Sequence, residues 1–98
     1  MTPRLFIRKL ARTDMERAFE WYEERLTGLG REFLQSTRVV LGHIERNPEQ
    51  FPLAVDDIRK AQLAGSPYLV YFVIHKKGVS VIAVLHGSRD PRRWRARR

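Results

Sequence analysis

The apolar positions of this chain change period twice, and the changes divide it into elements. Leu5-Phe6-Ile7 is a short continuous apolar run between Arg4 and Arg8-Lys9, which predicts a brief strand over residues 4–9. From Ala11 the spacing becomes helical. Ala11, Met15, Ala18, Tyr22 and Leu26 fall on one face with Phe19 beside them, so a helix is expected over residues 11–26. Thr13 and Glu16 stand at capping-box spacing and offer an alternative start. Thr27-Gly-Leu-Gly30 breaks the pattern. A second helix follows over residues 31–46, with Phe33, Leu34, Val40, Leu41 and Ile44 inward, until Asn47-Pro48 stops it. Gly42 inside that helix weakens it and is expected to admit a close neighbour. Two amphipathic helices on a short connection imply an antiparallel hairpin.

Beyond Pro48 the period falls to two. Residues 51–63 read as extended, with Pro52 and the acidic pair Asp56-Asp57 in the first half and a strand over residues 58–63. Ala64-Gly-Ser-Pro67 is a turn signal. Tyr68 to His75 is a strong strand, joined through Lys76-Lys77-Gly78 to another over residues 79–86. The expected fold is therefore α+β, with a two-helix layer on a four-stranded sheet. The last two strands are apolar on both faces. Tyr68, Val70, Phe72 and Ile74 point one way, and Leu69, Tyr71 and Val73 the other. The hairpin covers one face only. The second needs another cover, supplied in part by the chain's own segment around Trp94 and otherwise by a bound partner.

Composition narrows the class. Ninety-eight residues, 43% of them hydrophobic, suit one domain spanning residues 1–98 with a small core. There is no cysteine, which removes disulfides and thiolate metal sites and fits a reducing compartment. The apolar run near the N-terminus is too short for a signal-peptide core, and no segment is long enough to span a bilayer. A cytoplasmic setting is expected. His43 and His75 have no second ligand at metal spacing, so no metal and no cofactor are expected.

Charge draws attention to the C-terminus. The formal net charge is +8, and residues 89–98 hold six arginines against Asp90 alone. Such a basic segment is either a solvated tail or a surface for an acidic protein or polyanion. Lys60, Arg92, Arg93, Trp94 and Arg95 are the binding candidates. Asp90 is placed to cap a short final helix that begins at Pro91, leaving Arg89 free to face a ligand. His86 has the best functional case of the three histidines, with a structural role at a strand end as its plain alternative. Arg59 has a similar choice between acting as a functional cation and pairing with Asp56, Asp57 or Asp90. A helix-turn-helix reading of residues 11–46 fails on its long apolar stripe.

In order along the chain stand Ala11-x-x-Asp14, Ala18-x-x-Trp21-Tyr22-Glu23, Gly28-x-Gly30-x-x-Phe33-Leu34, Ile44-x-x-Asn47-Pro48 and Phe51-Pro52. They are followed by Arg59-Lys60-Ala61-x-Leu63, Pro67-Tyr68-x-Val70-Tyr71-Phe72 and His86-x-x-Arg89-Asp90-Pro91-x-x-Trp94. In this order the chain resembles the RelE/ParE superfamily of toxins from bacterial type II toxin–antitoxin systems, nearest its ParE-like plasmid-stabilisation branch. The resemblance implies an N-terminal strand, a helical hairpin, a three-stranded antiparallel meander and a short C-terminal helix. It implies a partner too, a cognate antitoxin of acidic or amphipathic character from the adjacent gene. Two modes of growth inhibition follow from it. ParE-type members act by binding, with DNA gyrase as target. RelE-type members are metal-independent, ribosome-dependent endoribonucleases that cut mRNA, and here Arg59, His86 and Arg89 would carry that chemistry. No tyrosine follows Tyr71, and residues 53–58 carry two acids where the nuclease branch has lysines, so the ParE-like mode is preferred.

Overall fold

A computed structural model describes residues 4–98. Strand β1 (Arg4–Ile7) leads into helices α1 (Lys9–Arg25) and α2 (Leu29–Arg46), and a short 3-10 turn, Pro48–Gln50, follows. Then come β2 (Leu53–Val55), β3 (Ile58–Gln62), β4 (Tyr68–His75), β5 (Gly78–His86) and helix α3 (Pro91–Arg95). The five strands form one sheet in the order β1-β5-β4-β3-β2. β3, β4 and β5 make the antiparallel meander, while β1 runs parallel to β5 at its edge.

Several expectations need correction. The sheet has five strands, not four. Residues 53–55 pair with β3 through Leu53↔Arg59 and Val55↔Ile58, and Asp56 turns the chain at φ 50°. Three residues with an irregular register leave no alternation to read. The first helix starts at Lys9, so Thr13 sits one turn inside it and its hydroxyl donates back to the Lys9 carbonyl at 3.2 Å. Leu26 lies beyond the end of α1 in extended backbone and is exposed. Gly42 meets no neighbouring element; a Cβ there would touch only Arg46 of its own helix.

Gly30 is the glycine that permits close approach, since a Cβ there would lie 2.7 Å from the ring of Phe19. The Glu23 carboxylate accepts from the backbone N–H groups of Gly28 and Gly30 and so caps α2 from the end of α1. At the other tight turn Gly78 has φ 142°, and a Cβ would collide with the Arg4 carbonyl of β1. Lys76 and Lys77 thus bridge β4 to β5 under the start of the chain.

The alternation read for β4 holds. Tyr68, Val70, Phe72 and Ile74 pack with the hairpin, whereas Leu69, Tyr71 and Val73 join a second cluster. β5 departs from simple alternation. Tyr71 faces Ala83 and Phe72 faces Val81, so Ile82 is the extra residue of a β-bulge. The bulge keeps Val79, Val81 and Val84 on the helix side and turns both Ile82 and Ala83 to the second face. That second face is covered by the chain itself. Trp94 of α3 stacks on Tyr71 with ring centroids 4.2 Å apart, and Ile58, Val73 and Ile82 are buried. The exposed large apolar residues lie elsewhere, at Leu10, Trp21, Leu26, Val39 and Leu53. Among the described residues, no helix is long and apolar enough to cross a membrane.

Candidate binding site at the end of the last strand

β1 accompanies β5 only as far as Ile7↔Val81, with Arg8 N–H donating to Val81 at 3.0 Å. From Ile82 onward the outer edge of β5 has no strand beside it among the described residues. Buried peptide groups on such an edge need partners. Two side chains provide them. The Val84 N–H donates to Asp14 Oδ2 at 3.0 Å, and Arg97 Nη1 donates to the Ile82 carbonyl at 3.2 Å. The same guanidinium grips Asp14, with Nη1 2.5 Å from Oδ2 and Nη2 3.3 Å from Oδ1. Asp14 and Arg97 therefore stand in for the missing strand. Their side chains are only 6% and 17% exposed, which makes this the one ion pair in the chain's described residues that is withdrawn from solvent.

The remaining tail arginines are also largely committed. Arg92 pairs with Asp90 at 2.7 Å, and the Asp90 carboxylate also accepts from the Arg92 backbone N–H, capping α3. Arg95 pairs with Asp56 at 3.1 Å, and Arg98 with Asp57. The hydrogen bond from Arg98 holds the Asp57 carboxyl below its ordinary range, and that from Arg92 does the same for Asp90. The segment is thus neither frayed nor free. Arg89 and Arg93 are the two tail arginines without a carboxylate partner among the described residues.

His86 ends β5, and its ring lies edge-on to Tyr68. Its Nδ1 accepts from the Ser88 backbone N–H at 3.0 Å and lies 2.8 Å from the Ser88 hydroxyl. A backbone N–H only donates, so Nδ1 is an acceptor and the neutral ring carries its proton on Nε2. His86 consequently presents a donor outward. Together with Arg89 and Arg93 it lines a cavity of about 170 Å³, completed by Arg17, Trp21 and Tyr68 around the Asp14–Arg97 pair.

Arg59 is elsewhere. Its Nη1 donates to the Phe51 carbonyl at 2.7 Å and to that of Glu49 at 3.4 Å, so it fastens the segment entering β2 and forms no pair with Asp56, Asp57 or Asp90. Arg59 faces Phe72 across the sheet, and His86 faces Tyr68. Four residues along β4 and two strand spacings separate them, about 13 Å along and about 10 Å across. Lys60 is on the second face, where it lines a cavity of about 310 Å³ with Leu69, Tyr71, Arg89 and Trp94. Trp94 itself is buried, and its Nε1 lacks an acceptor. A third depression, of about 400 Å³, runs along the hairpin between Arg12, Met15, Glu16, Phe19, Glu20 and Leu34.

Sequence reasoning passed over Arg17, Arg97 and above all Asp14. The last had a signal. Asp14 falls within the inward stripe of Ala11, Met15 and Ala18, and a lone acid in such a stripe needs a buried cation. Nothing local pointed to Arg97, 83 residues away.

Comparison with known proteins places these features in context. The family model for the "ParE toxin of type II toxin-antitoxin system, parDE" matches residues 5–91. A solved structure, "Chromosomal ParDE TA system from P. aeruginosa", superposes with a TM-score of 0.78 at 15% identity, covering 87% of this chain and 96% of that one. At that identity the likeness is one of fold. No curated protein sequence matches.

Proposed function

The chain belongs to the ParE toxin family of type II toxin–antitoxin systems, and on that premise we propose that it arrests growth by binding a macromolecular target, DNA gyrase, without doing chemistry itself. The observation that carries this reading is the commitment of two of the three groups a metal-free nuclease would use here, His86 and Arg59. Such a nuclease needs a base, an acid and cations converging on one phosphate. Here the only lone pair of the neutral His86 ring is taken by Ser88, and the Arg59 guanidinium is fixed on backbone carbonyls two strands away. A binding protein has no need of that convergence.

Neutralisation falls to a cognate antitoxin. The hairpin groove suits an amphipathic segment whose apolar side meets Met15, Phe19 and Leu34. An acidic partner is favoured further by the net charge of +8.

Controlled induction tests the target. DNA, RNA and protein synthesis are followed in the first minutes, and purified gyrase is assayed for supercoiling with and without the protein. Filamentation with a DNA-damage response and inhibited supercoiling are expected. Early loss of translation with cleaved messages, and normal supercoiling, would overturn the gyrase reading in favour of the ribonuclease.

A further inference from the structure

The cavity at the end of β5 is lined by cations that have no acid partner among the described residues. Three guanidinium groups, from Arg17 on α1, Arg89 in the loop after β5 and Arg93 on α3, line it. None forms an ion pair within the described residues. The neutral His86 ring adds its Nε2–H, and Tyr68 and Trp21 add flat rings. The single acid in the wall, Asp14, is already neutralised by Arg97. What remains is a small recess whose charged groups are cations, set between the apolar Ala18, Val84 and Leu85.

We propose that this recess is a phosphate-binding site, for a phosphate carried by a nucleotide or by a single-stranded nucleic acid. A protein carboxylate is the weaker fit. It is planar and matched by one arginine fork, as Asp14 is by Arg97. Three uncommitted guanidiniums on three different elements instead surround a tetrahedral group with oxygens in several directions. The cavity, about 170 Å³, accepts a phosphate. Trp21, 45% exposed, lies at this cavity with its ring packed against the Arg25 guanidinium at 3.4 Å, and a base can stack there. The fixed Asp14–Arg97 pair joins α1, β5 and the tail, and so holds the elements that carry the three arginines. This site is independent of whether gyrase is the target.

The test is an NMR titration of the full chain in chloride buffer with inorganic phosphate, then adenosine monophosphate, then a short oligothymidylate. Phosphate is expected to move the signals of Arg17, His86, Arg89 and Arg93. Arg17→Gln and Arg93→Gln should each weaken binding about tenfold, the loss that corresponds to one charge-assisted hydrogen bond. Both residues are exposed, so the variants fold. Arg31→Gln, on the far helix, is the charge-matched control and should leave affinity unchanged. The source follows from the ranking. Equal affinity for monophosphate and oligonucleotide assigns a free nucleotide; tighter oligonucleotide binding with a shifted Trp21 indole assigns a nucleic-acid strand. Three results would overturn the proposal: no saturable response to any phosphate probe, equal weakening by Arg31→Gln, or a response at these residues to an acidic peptide alone.

Discussion

Asp14 and Arg97 concentrate the physics of this molecule in one contact. A carboxylate in a helix's apolar stripe is costly unless it is paired and hydrogen-bonded. Here it accepts from Val84 and from Arg97, and Arg97 satisfies Ile82 in turn. Removing one partner leaves an uncompensated charge and one bare peptide group, Val84 N–H if Asp14 is lost and the Ile82 carbonyl if Arg97 is. Asp14→Ala should therefore lower unfolding stability by about 3 kcal/mol, the lower end for a buried pair because Arg97 keeps some contact with water. Asp14→Asn should cost less, since an amide oxygen still accepts from Val84. Urea unfolding of both variants checks this, and equal losses would mean that charge alone matters. His86 yields a second expectation. If no proton transfer is needed, folded His86→Ala should still arrest growth at matched expression, whereas loss of a general acid or base costs about 10²–10⁴ in rate. A harmless, folded His86→Ala would count against binding as the mode of action.

The elements were legible to unequal degrees, for reasons of length and partner distance. β4 has eight residues of clean alternation, and both of its faces were read as the structure has them. β2 has three residues, and its pairing depends on β3, so composition alone showed only extension. The bulge at Ile82 could not be read, because apolar residues occupy both phases from Val81 to Leu85. α3 was foreseen from Asp90-Pro91, which is local chemistry, and so was its place on the second sheet face through Trp94, but the ion pairs that hold it were not. The carboxylates that hold it, Asp56 and Asp57, lie about forty residues earlier in sequence, on the β2–β3 turn. That attachment has a pH dependence. Asp57 and Asp90 have carboxyls depressed by Arg98 and Arg92, so their contribution is complete above the ordinary carboxylate value near 4 and is lost as pH falls through the depressed one. Acidification below about pH 4 should loosen the tail. In a Trp21→Phe background, Trp94 fluorescence should report it, and Asp57→Asn should remove part of the change. Both pairs are exposed, so salt should weaken the same transition.

For the whole molecule, the second sheet face gave the sequence its argument for a partner, and the structure moves that argument to a different surface. Two apolar faces on β4 and β5 called for two covers, and α3 with Trp94 supplies the second. Much of the apolar surface left over is on the hairpin, where Met15 and Leu34 are only partly buried beside Phe19. Phe19 also packs against Gly30 and fixes the turn, so substituting it would confound binding with folding. Met15 is the better probe. Met15→Glu places a charge in the groove at modest cost to the core, because the side chain can reach solvent. It should abolish protection by the antitoxin while leaving growth arrest intact. Charge reversal at Arg89 and Arg93, the tail arginines without acid partners, should slow antitoxin association and reduce its salt dependence with a smaller effect on dissociation. Co-expression rescue and binding kinetics separate the two surfaces. If Met15→Glu is rescued as well as the parent, the groove is not where the antitoxin lies, and the exposed Leu10 and Val39 become the positions to probe.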